Sequence, residues 1–202
     1  MRKIVLLFCS LFLLLGSCLG QTAEDWLKSA IKHIENGEYE RALIGLNIAI
    51  KTDPSMAEAY FYRGAVKEST EDYWGAISDY TASIRIDPNN IVANEMRGRL
   101  KQKMGDNEGA MQDFNEMIKR FPGFAMGYEN RGLLKCKLQD FYGAIEDYNK
   151  AVSLNPQNEE SFLLRGLAYL QLRQIPNACR DFGKSGELGN MKAYNLIKDY
   201  CH

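Results

Sequence analysis

His33 and His202 are the only histidines in the chain, so any triad or imidazole proton shuttle would run through one of them. His33 falls at a position where helical repeats carry a packing aromatic, and His202 is the frayed last residue. Cys136, Cys179 and Cys201 lie 43 and 22 residues apart, and neither histidine has a second ligand at zinc spacing. No glycine-rich phosphate loop is present. The adjacent carboxylates Glu159 and Glu160 suit a helix N-terminus, where negative charge is favoured. No enzyme activity, cofactor or metal is therefore expected. What remains is thiol chemistry. Cys179 stands 11 residues before Asn190 and Cys201 11 residues after it. Residues equidistant from the turn of a helical hairpin face one another, which predicts a Cys179–Cys201 disulfide in an oxidising compartment. Such a bond contributes about 3 kcal/mol for a loop of this size. Cys136 is left as a free packing thiol.

That pairing requires helical hairpins, and the chain announces them by period. Pro54, Pro88, Pro122 and Pro156 are 34 residues apart, as are Ala42, Ala76, Ala110, Ala144 and Ala178. Gly64, Gly98, Gly132 and Gly166 keep the same interval. A period of this length marks a repeat array rather than one globular core. The units run 23–56, 57–90, 91–124, 125–158 and 159–192. In the second, Ala57, Tyr60, Phe61, Gly64 and Ala65 have helical spacing. Asp72 then caps a second helix through Ala76, Ile77, Tyr80, Ser83 and Ile84, which Asp87-Pro88 ends. Asp106 and Asp140 repeat the cap, and Pro176 sits in the first turn of its helix. Glycine within a first helix costs about 1 kcal/mol relative to alanine, so its recurrence predicts close packing that offsets the cost.

The alanine, glycine and proline positions, with Leu46, Tyr80, Phe114, Tyr148 and Phe182 as a bulky layer, resemble the tetratricopeptide repeat over residues 23–192. The resemblance implies an all-α fold: an α-α superhelix, or solenoid, of five helix-turn-helix repeats with a concave groove lined by the first helices. It departs from the family at Met117, where a small residue is expected, and at Asn190, where proline is expected.

Arg63, Arg97, Arg131 and Arg165 precede the glycines, and Asp79, Asp113, Asp147 and Asp181 precede the bulky layer. The first unit has Ser29 and Gly45 at those places and lacks both charges, which predicts pairing within each unit. After Asn190 a capping helix over 191–201, with Ala193, Tyr194, Ile197 and Tyr200 as its apolar face, closes the stack. Ala178-Cys179, Leu188-Gly189-Asn190 and Tyr200-Cys201 together resemble the ends of exported repeat proteins of Bacteroidetes-type bacteria.

The first twenty residues stand apart. Arg2 and Lys3, the apolar run from Ile4 to Leu15, and then Gly16, Ser17 and Gly20 have the order of a secretory signal. Two outcomes are open: cleavage after Gly20, which is favoured, or lipidation of Cys18 in a lipobox-like Leu15-Gly16-Ser17-Cys18. The expected location is the periplasm or cell envelope, with membrane attachment only if Cys18 is lipidated. Residues 21–202 form the repeat domain. The formal charge of the whole chain is −1, which argues against a nucleic-acid partner.

The function expected is that of a scaffold or adaptor binding a peptide or helix of another protein in the groove. The alternative is a lipoprotein subunit of an envelope assembly without a free peptide site. The resemblance places Leu27, Lys28, Phe61, Tyr62, Glu95, Met96, Arg99, Glu129 and Asn130 on the groove, with Leu163, Leu164 and Leu167 as an apolar end. The family's basic clamp for acidic C-termini is not matched by any three successive units.

Overall fold

The computed structural model describes residues 21–201. The signal segment, Cys18 and His202 lie outside the described residues. Eleven helices and no strand are found among the described residues. They fall into two compact units, divided between Asp87 and Pro88.

The first unit holds α1 (Ala23–Glu35), α2 (Tyr39–Thr52), α3 (Ala57–Ser69) and α4 (Tyr73–Ile86). α1 starts with a capping box: the Thr22 hydroxyl accepts from the Asp25 amide, and the Thr22 amide donates to the Asp25 carboxylate. α4 starts at Asp72, whose carboxylate accepts from Gly75 N at 3.0 Å. Leu27, Ala30, Ala42, Leu46, Ala49, Ala59 and Val66 form the core of this unit. α1 pairs with α2, α3 with α4, and α2 with α3.

The second unit continues with α5 (Ile91–Lys103), α6 (Asn107–Arg120), α7 (Ala125–Lys137), α8 (Phe141–Leu154), α9 (Glu159–Gln171), α10 (Ile175–Glu187) and α11 (Met191–Tyr200). Asp106 and Asp140 cap α6 and α8 as Asp72 caps α4. Its core clusters alternate along the chain. Phe114 and Leu134 meet in one, Tyr148 and Ala168 in the next, and Phe182, Leu163 and Ala193 in the last.

The recurring glycines have a steric cause. A Cβ on Gly64, Gly98, Gly132 or Gly166 would lie 2.9, 2.7, 2.8 or 2.6 Å from a ring carbon of Tyr80, Phe114, Tyr148 or Phe182. Each ring is therefore packed directly against the backbone of its own hairpin partner, and dispersion over that contact offsets the poor helix propensity. Between hairpins the fit is complementary. Met117, oversized for its place, is fully buried and faces Gly127, where a Cβ would meet Ile118 Cγ1 at 3.1 Å and Met117 Cγ at 3.6 Å. In the first unit the corresponding residues are both small: Ala49 and Ala59 are fully buried in one core.

The turn inside every hairpin passes through the left-handed region at one residue: Gly37, Glu71, Gly105, Gln139 and Arg173. Glycine does this without strain, whereas the other three carry a Cβ penalty.

Arg63, Arg97, Arg131 and Arg165 each form a two-bond fork with the aspartate of their own hairpin, at 2.6 to 3.0 Å. Three of these carboxylates also take a lysine one turn on: Lys67, Lys101 and Lys135, at 2.8 to 3.0 Å. Arg63, Arg131 and Arg165 use Nη1 to reach the hairpin before, at Asn47, Asn115 and Asn149. Asn47 is in α2 and Arg63 in α3, so the fork ties hairpins together as well as closing each one.

Cys179 and Cys201 are joined by a disulfide, with Cα atoms 5.7 Å apart, which fastens the end of α11 to α10. Ala193 is buried under α11, with Leu196 and Ile197 beside it. Tyr194 does face α10, its ring beside Gly186 and its hydroxyl donating to the Gly186 carbonyl at 3.1 Å, but it and Tyr200 remain about half exposed, at 52% and 46%. A helix of ten residues presents only one narrow stripe inward, and Ala193, Leu196 and Ile197 already fill it. His33 is likewise no core residue: its Nδ1 is paired with Glu38 at 2.6 Å at the rim of the first hairpin.

Candidate inner-face pocket

The inner face of the second unit is built by α7 and α9, the first helices of consecutive hairpins, which touch directly. Leu133, Cys136 and Lys137 project from α7 at helical spacing, and Leu164, Leu167 and Gln171 from α9. Phe141 and Tyr148 of α8 form the floor. Together they enclose an open pocket of about 460 Å³ that is mainly apolar. Leu133 is 39% exposed at its edge. The thiol of Cys136 lies 3.8 Å from the Tyr148 hydroxyl. Burial pushes the Cys136 thiol above its ordinary pKa, against the opposing pull of the tyrosine hydrogen bond. Burial raises Tyr148 as well, so both groups stay neutral across the physiological range.

A second opening of about 340 Å³ lies at the entry to α7, between Phe124, Met126, Glu129 and the 154–158 turn. Phe124 and Met126 are both 37% exposed there. The Glu129 carboxylate accepts from Asn158 Nδ2 at 2.7 Å and from the Ser161 hydroxyl, so it braces the next hairpin.

The residues placed on the groove by repeat position divide into three groups. Leu27 is 6% exposed and belongs to the first unit's core, and Leu163 is 3% exposed in the second. These two are packing residues, because the inward stripe of the first helix is one residue wider than position alone suggests. Asn130 is also buried. A second group is accessible: Lys28 and Arg99 are exposed, and Phe61, Tyr62 and Met96 are half-buried. Phe61 packs edge-on against Tyr62, with centroids 5.4 Å apart, and tilted against Tyr80 at 5.9 Å. The third group is the acidic pair. Glu95 is held by Arg99 at 3.4 Å and Glu129 by Asn158 and Ser161, so neither presents a bare charge. Of the apolar end, Leu164 and Leu167 line the pocket. Cys136, Phe141 and Tyr148 were not among the groove positions. Their signal was the same 34-residue spacing, which puts Phe141 at the head of a second helix beside the next first helix.

Among the described residues no group of three or more histidines, cysteines and acids could hold a metal ion. No helix among them is long and apolar enough to cross a membrane.

Three family models match the chain: two described as tetratricopeptide repeat, over residues 27–91 and 95–123, and one described as TPR repeat, over 132–172. No curated protein sequence matches it. Among solved structures, the chain is similar to MamA from Desulfovibrio magneticus RS-1, with a TM-score of 0.74 at 21% identity, covering 85% of this chain and 97% of the other. It is similar to YrrB, a TPR protein with an unusual peptide-binding site, at 0.69 and 20%, covering 87% and 92%. It is also similar to PilW, a type IV pilus biogenesis factor, at 0.70 and 18%, covering 82% and 77%. At these identities the likeness is one of fold.

Proposed function

This chain belongs to the tetratricopeptide repeat family, and from that premise we propose that it is a non-catalytic scaffold that holds a segment of a partner protein on its inner face. The observation that carries this reading is the open apolar pocket between α7 and α9. A soluble surface does not leave Leu133, Leu164 and Leu167 together around an open hollow without a use for it, since contiguous exposed apolar area marks contact sites. A peptide or short helix with one large apolar side chain fits such a hollow. The peptide-binding site of YrrB on the same fold supports the class of ligand. Met96 and Arg99 are further contact residues of the second unit in this reading, and Phe61 and Tyr62 form a separate candidate patch on the first unit.

The envelope is the proposed place of action. The charged, apolar and small-residue order of the first twenty residues supports export, as does the Cys179–Cys201 disulfide, a bond that persists in oxidising compartments. The resemblance of the tail to exported Bacteroidetes-type proteins agrees with it. A second reading, a lipoprotein subunit of an envelope assembly, rests on Leu15-Gly16-Ser17-Cys18. Incorporation of labelled fatty acid that Cys18→Ala abolishes would favour it.

The groove itself is tested by affinity capture from envelope extract. The wild-type chain is compared with Leu164→Glu/Leu167→Glu and with Phe61→Ala/Tyr62→Ala. A defined partner lost from the first variant, with its melting temperature retained, supports the pocket. An unchanged partner set from both variants removes the inner face from consideration.

A further inference from the structure

The outward stripe of the second helices is polar in three hairpins and not in the other two. Three places four residues apart read Glu108, Gln112 and Glu116 on α6, and Tyr142, Glu146 and Lys150 on α8. On α10 they read Pro176, Arg180 and Lys184. The first unit differs. On α2 the last two places are Ile44 and Ile48, and Ile44 is 59% exposed. On α4 the three are Trp74, Ser78 and Ala82, and Trp74 is 75% exposed. A tryptophan left this open in water, above a stripe with no charge beside it, marks a contact surface.

The shape of the α4 stripe says what covers it. Its other end opens into a hollow of about 300 Å³ lined by Ser78, Thr81, Ala82 and Arg85. Trp74 lies four residues before Ser78 and Ala82 four after it, about 6 Å either way along the helix. Lay two copies of α4 antiparallel with a twofold axis at Ser78. Each indole then stands over the hollow at the other copy's Ala82, and the same contact forms twice. The row 74, 78, 82 is an i±4 ridge, and two such rows run parallel when helices cross at about 50°. Ser78, small and at the crossing, permits a close approach.

Charge selects the same register. Arg85 stands seven residues after Ser78 and Glu71 seven before it. Both are exposed, and neither is in an ion pair among the described residues. They are about 20 Å apart along the helix and cannot meet within one chain. The twofold axis at Ser78 brings each Arg85 to the other copy's Glu71. One symmetry operation thus matches ring to hollow and cation to anion.

We propose that the outward stripe of α4 is a self-association surface on which two copies of this chain pair about Ser78. Trp74 and Arg85 are of the residue types that anchor interfaces. One helix stripe per copy is a small area, so the dimer is reversible rather than obligate. The surface is separate from the inner-face pocket and does not depend on it. A dimer carries two such pockets, which favours a partner with repeated segments.

Sedimentation velocity of the full chain over a concentration series tests the pairing. Wild type should pass reversibly from monomer to dimer. Trp74→Ala and Ser78→Glu should each weaken the dimer by about tenfold or more. Their melting temperatures should match wild type, since both side chains are exposed. Arg85→Glu and Glu71→Arg should each weaken it too, because a reversal acts twice in a twofold pair. Arginine is tolerated at that turn, since Arg173 fills the same place in the fifth hairpin. Arg85→Glu/Glu71→Arg together should restore association. In a Cys136→Ser background, Ser78→Cys should give a disulfide-linked dimer on oxidation, and Gln112→Cys, the same place on α6, should not. A wild-type chain that stays monomeric throughout would overturn the proposal. So would a dimer that survives Trp74→Ala and Ser78→Glu, or charge reversals that the double variant fails to rescue. None of these results bears on the inner-face pocket.

Discussion

Arg131 holds Asp147 by two parallel hydrogen bonds, Nε to Oδ2 at 3.0 Å and Nη2 to Oδ1 at 2.6 Å, while its Nη1 reaches back to Asn115. The Asp147 side chain is 4% exposed, and Lys135 takes its second oxygen at 2.9 Å. Removing the carboxylate leaves two cations facing each other in a half-buried place. Asp147→Asn should therefore cost about 3 kcal/mol in urea unfolding. The cost should fall by about 2 kcal/mol in an Arg131→Gln background, because the partners are coupled. Equal costs in both backgrounds would show two independent charges.

The glycine at position 132 is a steric requirement. Alanine there would gain about 1 kcal/mol in helix propensity. Its Cβ, however, would stand 2.8 Å from Tyr148 Cε1, inside the van der Waals limit. The ring is fully buried and can yield only by shifting toward the pocket whose floor it forms, at a cost in packing. Gly132→Ala should thus be destabilising by about 1–3 kcal/mol net, and Tyr148→Leu in the same chain should recover part of it. Thermal unfolding of the two variants and the double decides the matter.

Gln139 has a φ of 64°, the same turn position that Gly37 and Gly105 fill. Its Cβ is strained there, and the strain exceeds the entropy that glycine adds to the unfolded chain. Gln139→Gly should raise stability by about 0.5–1 kcal/mol. Gly37→Ala, the opposite change at φ 73°, should lower it by a similar amount. A loss in the first variant would mean the turn is held by side-chain contacts of Gln139.

The Cys179–Cys201 bond closes a separation of 22 residues around α11. α11 buries only Ala193 fully, so packing alone holds it weakly. Cys179→Ser, or reduction with a dithiol, should remove about 3 kcal/mol. Hydrogen exchange should localise the loss to α11, with α7 and α8 unchanged. Uniform deprotection of the second unit would instead make the cap part of one cooperative core.

The hairpins are legible in the chain because five copies of one pattern repeat the same small and bulky residues at the same spacing. The Arg–Asp forks are legible for a related reason: Ser29 and Gly45 lack both charges together. The lysine arms are not, because Lys67, Lys101 and Lys135 read as ordinary solvated residues until the fork draws them inward. His33 misled for the same reason in reverse, since its acidic neighbour Glu38 lies across a turn. The inner face was legible at Leu164 and Leu167 and overstated at Leu27, because repeat position specifies a helix face but not how far the neighbouring hairpin covers it.

Cys136 offers a chemical probe of the pocket it lines. Its thiol is free and half-buried, with the Tyr148 hydroxyl 3.8 Å away. Burial raises its pKa, the tyrosine bond offsetting only part of that rise. A raised pKa means less thiolate at any pH below it, and the thiolate is the reacting species. Iodoacetamide should therefore modify Cys136 in the folded chain at least tenfold more slowly at pH 8 than in the chain unfolded in guanidinium. The folded rate should keep climbing with pH after the unfolded rate has levelled. Once attached, the adduct fills the hollow between Leu133 and Leu164, so a bulky maleimide at Cys136 should abolish capture of the partner that Leu164→Glu/Leu167→Glu loses. Rapid labelling at pH 8 with the partner still bound would place the thiol outside the contact surface.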